Sequence, residues 1–211
     1  CATREHPPGY QCSASRDQAG DLQPGSHAAH VMDQPADQRP DDLITLLVET
    51  EIDGEPLDRR HLLGTCFLLL LAGIDTTWSA IGSSLWHLAT HPEDQARLRA
   101  EPDLIDSAVE ELLRVYSPVT MAREVIADVD VAGCPMKPGD KVLMSCPAAN
   151  RDPAQFEDTD EFIIDRERNR HVAFGSGIHR CLGSNLARME LRVAIQEWLT
   201  RIPTFELADP A

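Results

Sequence analysis

The stretch from Asp58 to Thr90 constrains the fold most, because it runs without a proline. About 32 residues make an α-helix roughly 48 Å long, which is enough to cross a whole domain. Asp58 supplies an N-cap, and His91-Pro92 ends the helix. Residues 62–71 are apolar on nearly every helical face, which is typical of a helix that is buried all round. The sequence therefore predicts a mainly α architecture around this helix.

Three polar residues, Asp75, Thr76 and Thr77, interrupt the apolar pattern in the middle of this helix. A buried charge is costly unless it is paired or hydrated. In one interpretation the threonines bond back to carbonyls of the preceding turn and bend the helix. In the other, the three residues serve a polar function inside an apolar site.

Residues 174–183 read Phe-Gly-Ser-Gly-Ile-His-Arg-Cys-Leu-Gly and predict a loop that leads into a helix ending at Pro203. Gly175 and Gly177 permit backbone angles and close approaches that a Cβ would forbid. Cys181 lies near the helix N-terminus, where amide donors and the helix dipole favour a thiolate. A thiolate ligates a metal or attacks an electrophile, although most single cysteines are small buried hydrophobes.

Other metal or thiol chemistry is an alternative for this loop, with zinc or a cysteine nucleophile using Cys181 and His179. Zinc needs about four clustered ligands, and only this one Cys-His pair is close in sequence. The spacing therefore argues against zinc.

The ten-residue string resembles the cysteine loop of the cytochrome P-450 family, Phe-Gly-x-Gly-x-His-x-Cys-x-Gly, at every defining position. Ala72–Thr77 is similar to the oxygen-binding segment of that family's long central helix, and Glu111-x-x-Arg114 to its Glu-x-x-Arg helix. Residues 150–173 resemble its meander. The resemblance covers about residues 41–207 and corresponds to the C-terminal half of a soluble, bacterial-like member.

The resemblance implies a haem-thiolate monooxygenase, which inserts one atom of O2 into a small organic substrate and reduces the other to water. It implies haem b as the cofactor and Cys181 as the axial ligand of its iron. Electrons are expected from a ferredoxin or flavodoxin-type donor with its reductase, because the sequence has no G-x-G-x-x-G fingerprint.

The resemblance also implies roles in the central helix. Asp75 relays protons from solvent, and Thr76 hydrogen-bonds the activated oxygen. Gly73 leaves room above the haem, and Ala72 shares one helix face with Thr76.

Around the cofactor, Arg123 and His179 are implied to bond the haem propionates. The alternative for each is an ordinary solvent-facing residue. Phe174 and Gly175 of the loop complete the implied cofactor-binding set, with Ala72 and Gly73 of the helix.

Glu111 and Arg114, three residues apart, can meet on one helix face. A solvated surface pair is the usual explanation of such spacing. The resemblance instead implies a buried lock that holds the meander. Thr159 and Ile163 stand where the family usually has proline and aspartate.

The rest of the pattern predicts further helices and a small antiparallel β part. The expected elements are a short helix after Asp41-Asp42, a turn at Asp53-Gly54, helices over 92–100 and from Asp103 to before Pro118, and strands over 123–131 and 141–145 joined through a Pro138-Gly139 turn.

The charge and cysteine content limit the partners and the compartment. The chain has 19 basic and 35 acidic residues and a net charge of −16, which argues against a nucleic-acid partner. Six cysteines without a C-x-x-C pair fit reduced thiols in the cytoplasm. The most apolar run, Cys66–Ile74, is shorter than the roughly 20 residues that cross a bilayer, so no membrane span is expected.

Composition divides the chain near residue 40. Residues 1–40 are rich in proline, glycine and polar residues and are predicted to be disordered or ill-packed. Residues 41–211 are expected to form a partial haem-thiolate domain. Because the first residue is cysteine rather than methionine, we expect a fragment of a longer product. The alternative function is therefore a truncated, non-catalytic fragment that does not form a complete haem pocket.

Overall fold

The computed structural model describes residues 24–208. The chain divides into two compact units, of which the first runs to Leu71 and the second begins at Ala72, within one helix. The helices are α1 (Pro24–Asp33), α2 (Leu43–Val48), α3 (Arg59–Thr90), α4 (Pro92–Ala100), α5 (Ile105–Val115), α6 (Cys146–Ala149) and α7 (Ser184–Arg201). The strands are β1 (Glu51–Ile52), β2 (Glu55–Pro56), β3 (Thr120–Glu124), β4 (Val129–Val131), β5 (Cys134–Met136) and β6 (Lys141–Ser145). This confirms the mainly α class with small antiparallel sheets.

Helix α1 lies inside the segment that the composition predicted to be ill-packed. Ala28 and Val31, three residues apart on one helix face, are both buried. Two apolar contacts are too few to show as a sequence period, so the sequence carries no signal for this helix. The division of the chain near residue 40 stays a prediction. Residues 1–23 lie outside the described part of the chain.

Helix α3 begins after Asp58, whose carboxylate accepts the amide proton of His61 at 2.8 Å, as the predicted cap requires. Seven of its large apolar residues are exposed, contrary to the expectation of a helix buried all round: Phe67, Leu68, Leu70, Leu71, Ile74, Trp78 and Trp86. The described chain has too few helices to surround it.

The whole of α3 is also long and apolar enough to cross a membrane, unlike the short run considered above. This is weak evidence for a span, because core helices of soluble proteins have the same length and composition. The helix also carries Asp75 near its middle, a residue that is costly in hydrocarbon.

The core of the second unit is built on α5, whose apolar residues recur at helical spacing. Its buried residues Ala108, Leu112 and Leu113 belong to one cluster with Leu191 and Ile195 of α7. Helix α5 thereby fixes the start of α7, and the segment just before α7 contains Cys181.

The predicted strand over 123–131 is two strands in the structure. Strand β3 pairs with β6, with Arg123 opposite Val142, while β4 forms a separate hairpin with β5. The turn at Ala132–Gly133, where both residues have positive φ, makes that hairpin. Because alanine rarely adopts the left-handed conformation, Ala132 gives no sequence signal for a turn, and the sequence therefore did not predict β5.

Candidate functional site

The cysteine loop, residues 174–183, places Cys181 three residues before α7. The Cys181 amide donates to the Phe174 carbonyl at 2.9 Å, which closes the loop on itself. Gly175 and Gly177 have φ of +69° and +70°, in the left-handed region that favours glycine. The Cys181 thiol is free and exposed, so the loop presents it rather than burying it.

Apolar surface flanks this thiol. Ile178 is 97% exposed and Leu182 is 88% exposed, and a Cβ on Gly177 would meet nothing within 4 Å. A Cβ on Gly175 would lie 3.6 Å from the Met121 side chain, so strand β3 passes close to the loop. An open thiol beside bare apolar side chains suits a flat apolar ligand.

Glu111 and Arg114 form an ion pair that is fully buried, with 0% exposure of either side chain. Arg114 donates its Nε and Nη2 to the two carboxylate oxygens at 2.9 and 2.8 Å. The same guanidinium donates to the carbonyls of Asn150, Thr159 and Glu161 at 2.8 to 3.0 Å. The surface-pair explanation is therefore excluded.

The meander also supplies donors to the Glu111 carboxylate. Arg166 Nε lies 3.0 Å from both oxygens, and the Ile163 amide and Asn169 Nδ2 each donate at 3.0 Å. Burial raises the pKa of Glu111, but the hydrogen bonds from Arg114 and Ile163 outweigh it, so the pKa is lowered. Glu111 is thus held as a carboxylate by Arg114, which the sequence predicted, and by donors from the meander, which it did not.

Asn150, which sequence reasoning missed, links this ion pair to the cysteine loop. Its side chain is fully buried, donates from Nδ2 to the Arg114 carbonyl at 3.2 Å and accepts the Val172 amide at 2.7 Å. The Val172 carbonyl in turn accepts the Gly175 amide at 2.9 Å. Asn150 belongs to an Asn-Arg-Asp-Pro string, but that string alone reads as a turn.

Glu110 forms a second network that sequence reasoning missed. Its carboxylate accepts from Arg188 Nε at 2.6 Å and from His171 Nε2 at 3.0 Å. Burial raises the pKa of Glu110, yet the bonds from His171 and Arg188 lower it to about 2. The Arg188 guanidinium carbon lies 4.6 Å from the centroid of the Phe174 ring. One ionised carboxylate of α5 thus binds α7 and the residue His171 that precedes the loop, and Arg188 in turn contacts Phe174 of the loop.

The segment Ala72–Thr77, which resembles the family's oxygen-binding segment, lies on α3. The Thr76 hydroxyl donates to the Ala72 carbonyl at 2.7 Å, which is the bond expected if threonine bonds back to the preceding turn. Asp75 is exposed, and a Cβ on Gly73 would meet open space. Among residues 24–208, no hydrogen bond joins this segment to the cysteine loop.

Arg123 and His179 are both exposed. Arg123 lies on β3 and donates to the carbonyl of its neighbour Ala122 at 2.9 Å. His179 ends the 3-10 turn Gly177–His179 inside the cysteine loop. Neither side chain is drawn into an ion pair in the part of the chain that the structure describes.

Comparison with known proteins gives the family. The Cytochrome P-450 family model matches residues 26–207. The chain belongs to the cytochrome P-450 family. Polyketide biosynthesis cytochrome P-450 PksS of Bacillus subtilis is 43% identical over 170 residues, which cover 80% of this chain and 42% of PksS. Vitamin D3 dihydroxylase of Streptomyces griseolus is 42% identical over 170 residues, 80% of this chain and 42% of that protein.

Solved structures agree with the sequence relatives. The PksS structure superposes with a TM-score of 0.83 at 40% identity, over 88% of this chain and 48% of PksS. The chain therefore spans about half the length of the cytochrome P-450 relatives it matches, and its fold is a partial P-450 fold.

The zinc alternative finds no support among the described residues. Residues 24–208 contain no group of three or more histidine, cysteine, aspartate or glutamate side chains placed to hold a metal ion. Cys66, Cys134, Cys146 and Cys181 are all free, and Cys1 and Cys12 lie outside the described residues.

Proposed function

We propose that this chain supplies the haem-thiolate part of a cytoplasmic monooxygenase, which inserts one oxygen atom of O2 into a small organic substrate. The observation that carries the proposal is the exposed Cys181 thiol, held on a loop that a buried ion pair and its hydrogen-bonded neighbours support. A cysteine in that setting is a ligand rather than a core residue.

The residues present fit haem b. Cys181 would ligate the iron, Phe174 and Gly175 would lie beside the macrocycle, and the exposed Arg123 and His179 are free to bond propionates. Haem bound there supplies oxygen activation, and a thiolate ligand favours cleavage of the O–O bond. Bare Ile178 and Leu182 side chains would be covered by the apolar group.

Asp75 and Thr76 are proposed to handle protons beside Ala72 and Gly73. The Thr76 hydroxyl donates a hydrogen bond to the Ala72 carbonyl, which leaves the hydroxyl oxygen free to accept one. Asp75 is exposed and exchanges protons with water directly. Thr76 would thus orient a proton donor at the reacting oxygen, and Asp75 would resupply the proton.

Two kinds of partner follow. The sequence has no G-x-G-x-x-G fingerprint, so electrons are proposed to come from a separate ferredoxin or flavodoxin-type protein with its reductase. The names of the relatives, polyketide biosynthesis for PksS and vitamin D3 for the dihydroxylase, differ from one another. They support a small organic substrate and nothing narrower.

The truncated-fragment hypothesis remains the second candidate. It rests on the exposed apolar residues of α3 and on the half-length match to the relatives. On that hypothesis the chain has the cysteine loop but does not form a complete haem pocket.

The test of haem ligation uses a completed protein, meaning this chain joined to the portion of PksS that it does not match. Cys181→Ser is expected to abolish the red-shifted Soret band of the ferrous carbonyl, because a serine hydroxyl supplies no thiolate. Cys134→Ser, at another free and exposed cysteine, is the matched control and should leave the band unchanged. A band that persists in Cys181→Ser removes the assignment.

Thr76→Ala in the completed protein is expected to leave the haem spectrum unchanged. A larger share of the electrons consumed should then reduce O2 to hydrogen peroxide instead of forming product. The neighbouring Thr77→Ala is the control, since its hydroxyl is one helix position away. Product and peroxide formed per NAD(P)H consumed are the measurement. The same product yield per electron in Thr76→Ala and wild type would contradict the role.

A further inference from the structure

Glu110 and Glu111 are neighbours on α5, but their carboxylates bind different parts of the molecule. Glu111 binds meander residues up to Asn169, whereas Glu110 binds His171 at the end of the meander, just before the cysteine loop, and Arg188, just after that loop. The contacts of Glu110 span 61 and 78 residues of sequence. One carboxylate therefore ties together both sides of the segment that contains Cys181.

Each guanidinium nitrogen of Arg188 donates a hydrogen bond, although the side chain is 29% exposed. Its Nε and Nη2 donate to Glu110 at 2.6 and 3.0 Å, and Nη1 donates to the Ser184 carbonyl at 3.4 Å. This bidentate pairing with Glu110 fixes the orientation of the planar guanidinium, which lies over the Phe174 ring. A lysine ammonium is a point charge without this planar geometry, so it cannot reproduce both the bidentate pairing with Glu110 and the contact with the Phe174 ring.

His171 is held in one tautomer by the backbone. Its Nδ1 accepts the Ala173 amide at 3.2 Å, so its Nε2 carries the proton donated to Glu110. Its side chain is 2% exposed, and its ring centroid lies 6.1 Å from that of Phe174. Phe174 is thereby contacted by both residues that Glu110 binds.

The Phe174 backbone connects this network to the cysteine. Its carbonyl accepts the Cys181 amide at 2.9 Å. If Phe174 shifts, the acceptor of that hydrogen bond shifts with it, and the Cys181 backbone loses its tether.

We propose that Glu110 and Arg188 are positioning residues that hold Phe174 in place and, through the Phe174 carbonyl, fix the backbone of Cys181. The consequence for haem ligation rests on the proposed function, but the positioning itself is a property of the chain without haem. The competing explanation is that Arg188 is simply a surface cation, available to an acidic partner protein.

The same two helices offer a matched control. Asp106 and Arg192 also bridge α5 and α7, at 3.6 Å, but their side chains are 74% and 49% exposed. Neither has a hydrogen bond to the cysteine loop within the described part of the chain. Glu110→Gln and Arg188→Lys are therefore compared with Asp106→Asn and Arg192→Lys.

The experiment is amide hydrogen exchange of the completed protein without haem, with residue-level mass spectrometry that compares the Cys181 amide with core amides of α5. Glu110→Gln and Arg188→Lys are each expected to speed exchange at Cys181 by about tenfold or more relative to the α5 amides. The control variants should stay within about twofold of wild type. The rate of Cys181 alkylation by iodoacetamide, followed on the same peptide, should rise in the same two variants.

The readout separates positioning from general destabilisation, because a uniform loss of stability speeds exchange at α5 and Cys181 alike. Equal effects at both places overturn the proposal. The proposal is also overturned if the Cys181 amide exchanges as slowly in Arg188→Lys as in wild type. That result together with weaker binding of an electron donor would identify Arg188 as a surface cation for a partner protein. Failure of haem to bind would contradict the proposed function and leave the exchange result valid.

Discussion

Replacing Glu111 by alanine is expected to lower the free energy of unfolding by about 3 to 5 kcal/mol, because it leaves Arg114 buried without its counter-ion. The Arg114 side chain has 0% exposure and cannot reach water when its partner is removed. Arg166 and Asn169 also lose their acceptor. Domains are typically stable by only about 5 to 15 kcal/mol, so the variant should unfold or lose haem at moderate temperature.

The control for this prediction is Glu101→Ala. Glu101 pairs with Arg97 at 3.4 Å on the surface, with 56% and 38% of their side chains exposed. Exposed pairs of this kind contribute about 0.2 to 1 kcal/mol. Urea denaturation of the completed protein gives both values. An unchanged midpoint in Glu111→Ala would mean that the pair does not hold the meander.

The free energy of unfolding that this ion pair contributes is expected to fall as the solution becomes acidic. Because the pKa of Glu111 is lowered in the folded protein, the unfolded chain binds more protons as the solution becomes acidic. The stabilisation is complete above the ordinary glutamate pKa and is lost as the pH falls through the lowered folded value. Glu110, with a pKa of about 2, adds a second contribution of the same sign.

Local signals in the sequence predicted the helix boundaries well. The Asp58 cap, the His91-Pro92 stop and the Asp42 cap each act within one helical turn, and all three are present in the structure. The spacing of Glu111 and Arg114 on one turn likewise made their contact predictable.

Long-range partners could not be predicted in the same way. Asn150 meets Arg114 across 36 residues, and Arg188 meets Glu110 across 78. No periodicity or turn signal encodes such a meeting, because it depends on how α5, the meander and α7 pack. The sequence thus indicates the ligand loop and the ion pair, whereas the residues that connect them emerge only from tertiary structure.

The exposure of α3 is the largest departure from the sequence expectation. Trp78 is 77% exposed and Phe67 is 64% exposed, on a helix whose composition is typical of a buried one. The solved PksS structure matches the chain over only 48% of its own length. The apolar residues of α3 therefore lack the neighbours that about half of a P-450 fold would supply.

Residues 1–211 expressed alone are therefore expected to associate, to bind haem weakly and heterogeneously, and to show no turnover with electron donors. Bare apolar surface of this kind drives association. If haem is held on the Cys181 side and open elsewhere, water reaches the open side. Electrons would then reduce O2 to hydrogen peroxide rather than support product formation. Size-exclusion chromatography, haem titration and a turnover assay on the chain alone measure the three effects.

Substitutions on α3 identify the cause of that association. Leu71→Glu with Trp78→Gln should raise the monomer fraction, because both side chains are exposed and their replacement costs little stability. Ile126→Glu is the control: it removes an even more exposed apolar residue, 90% exposed, on the segment between β3 and β4. If Ile126→Glu disperses the chain as well as the α3 variant does, then α3 is not the surface that associates. A wild-type monomer with stoichiometric haem and coupled product formation would show instead that the half-length chain closes its own pocket, since it contains Cys181, Asp75 and Thr76, the residues proposed for ligation and proton handling.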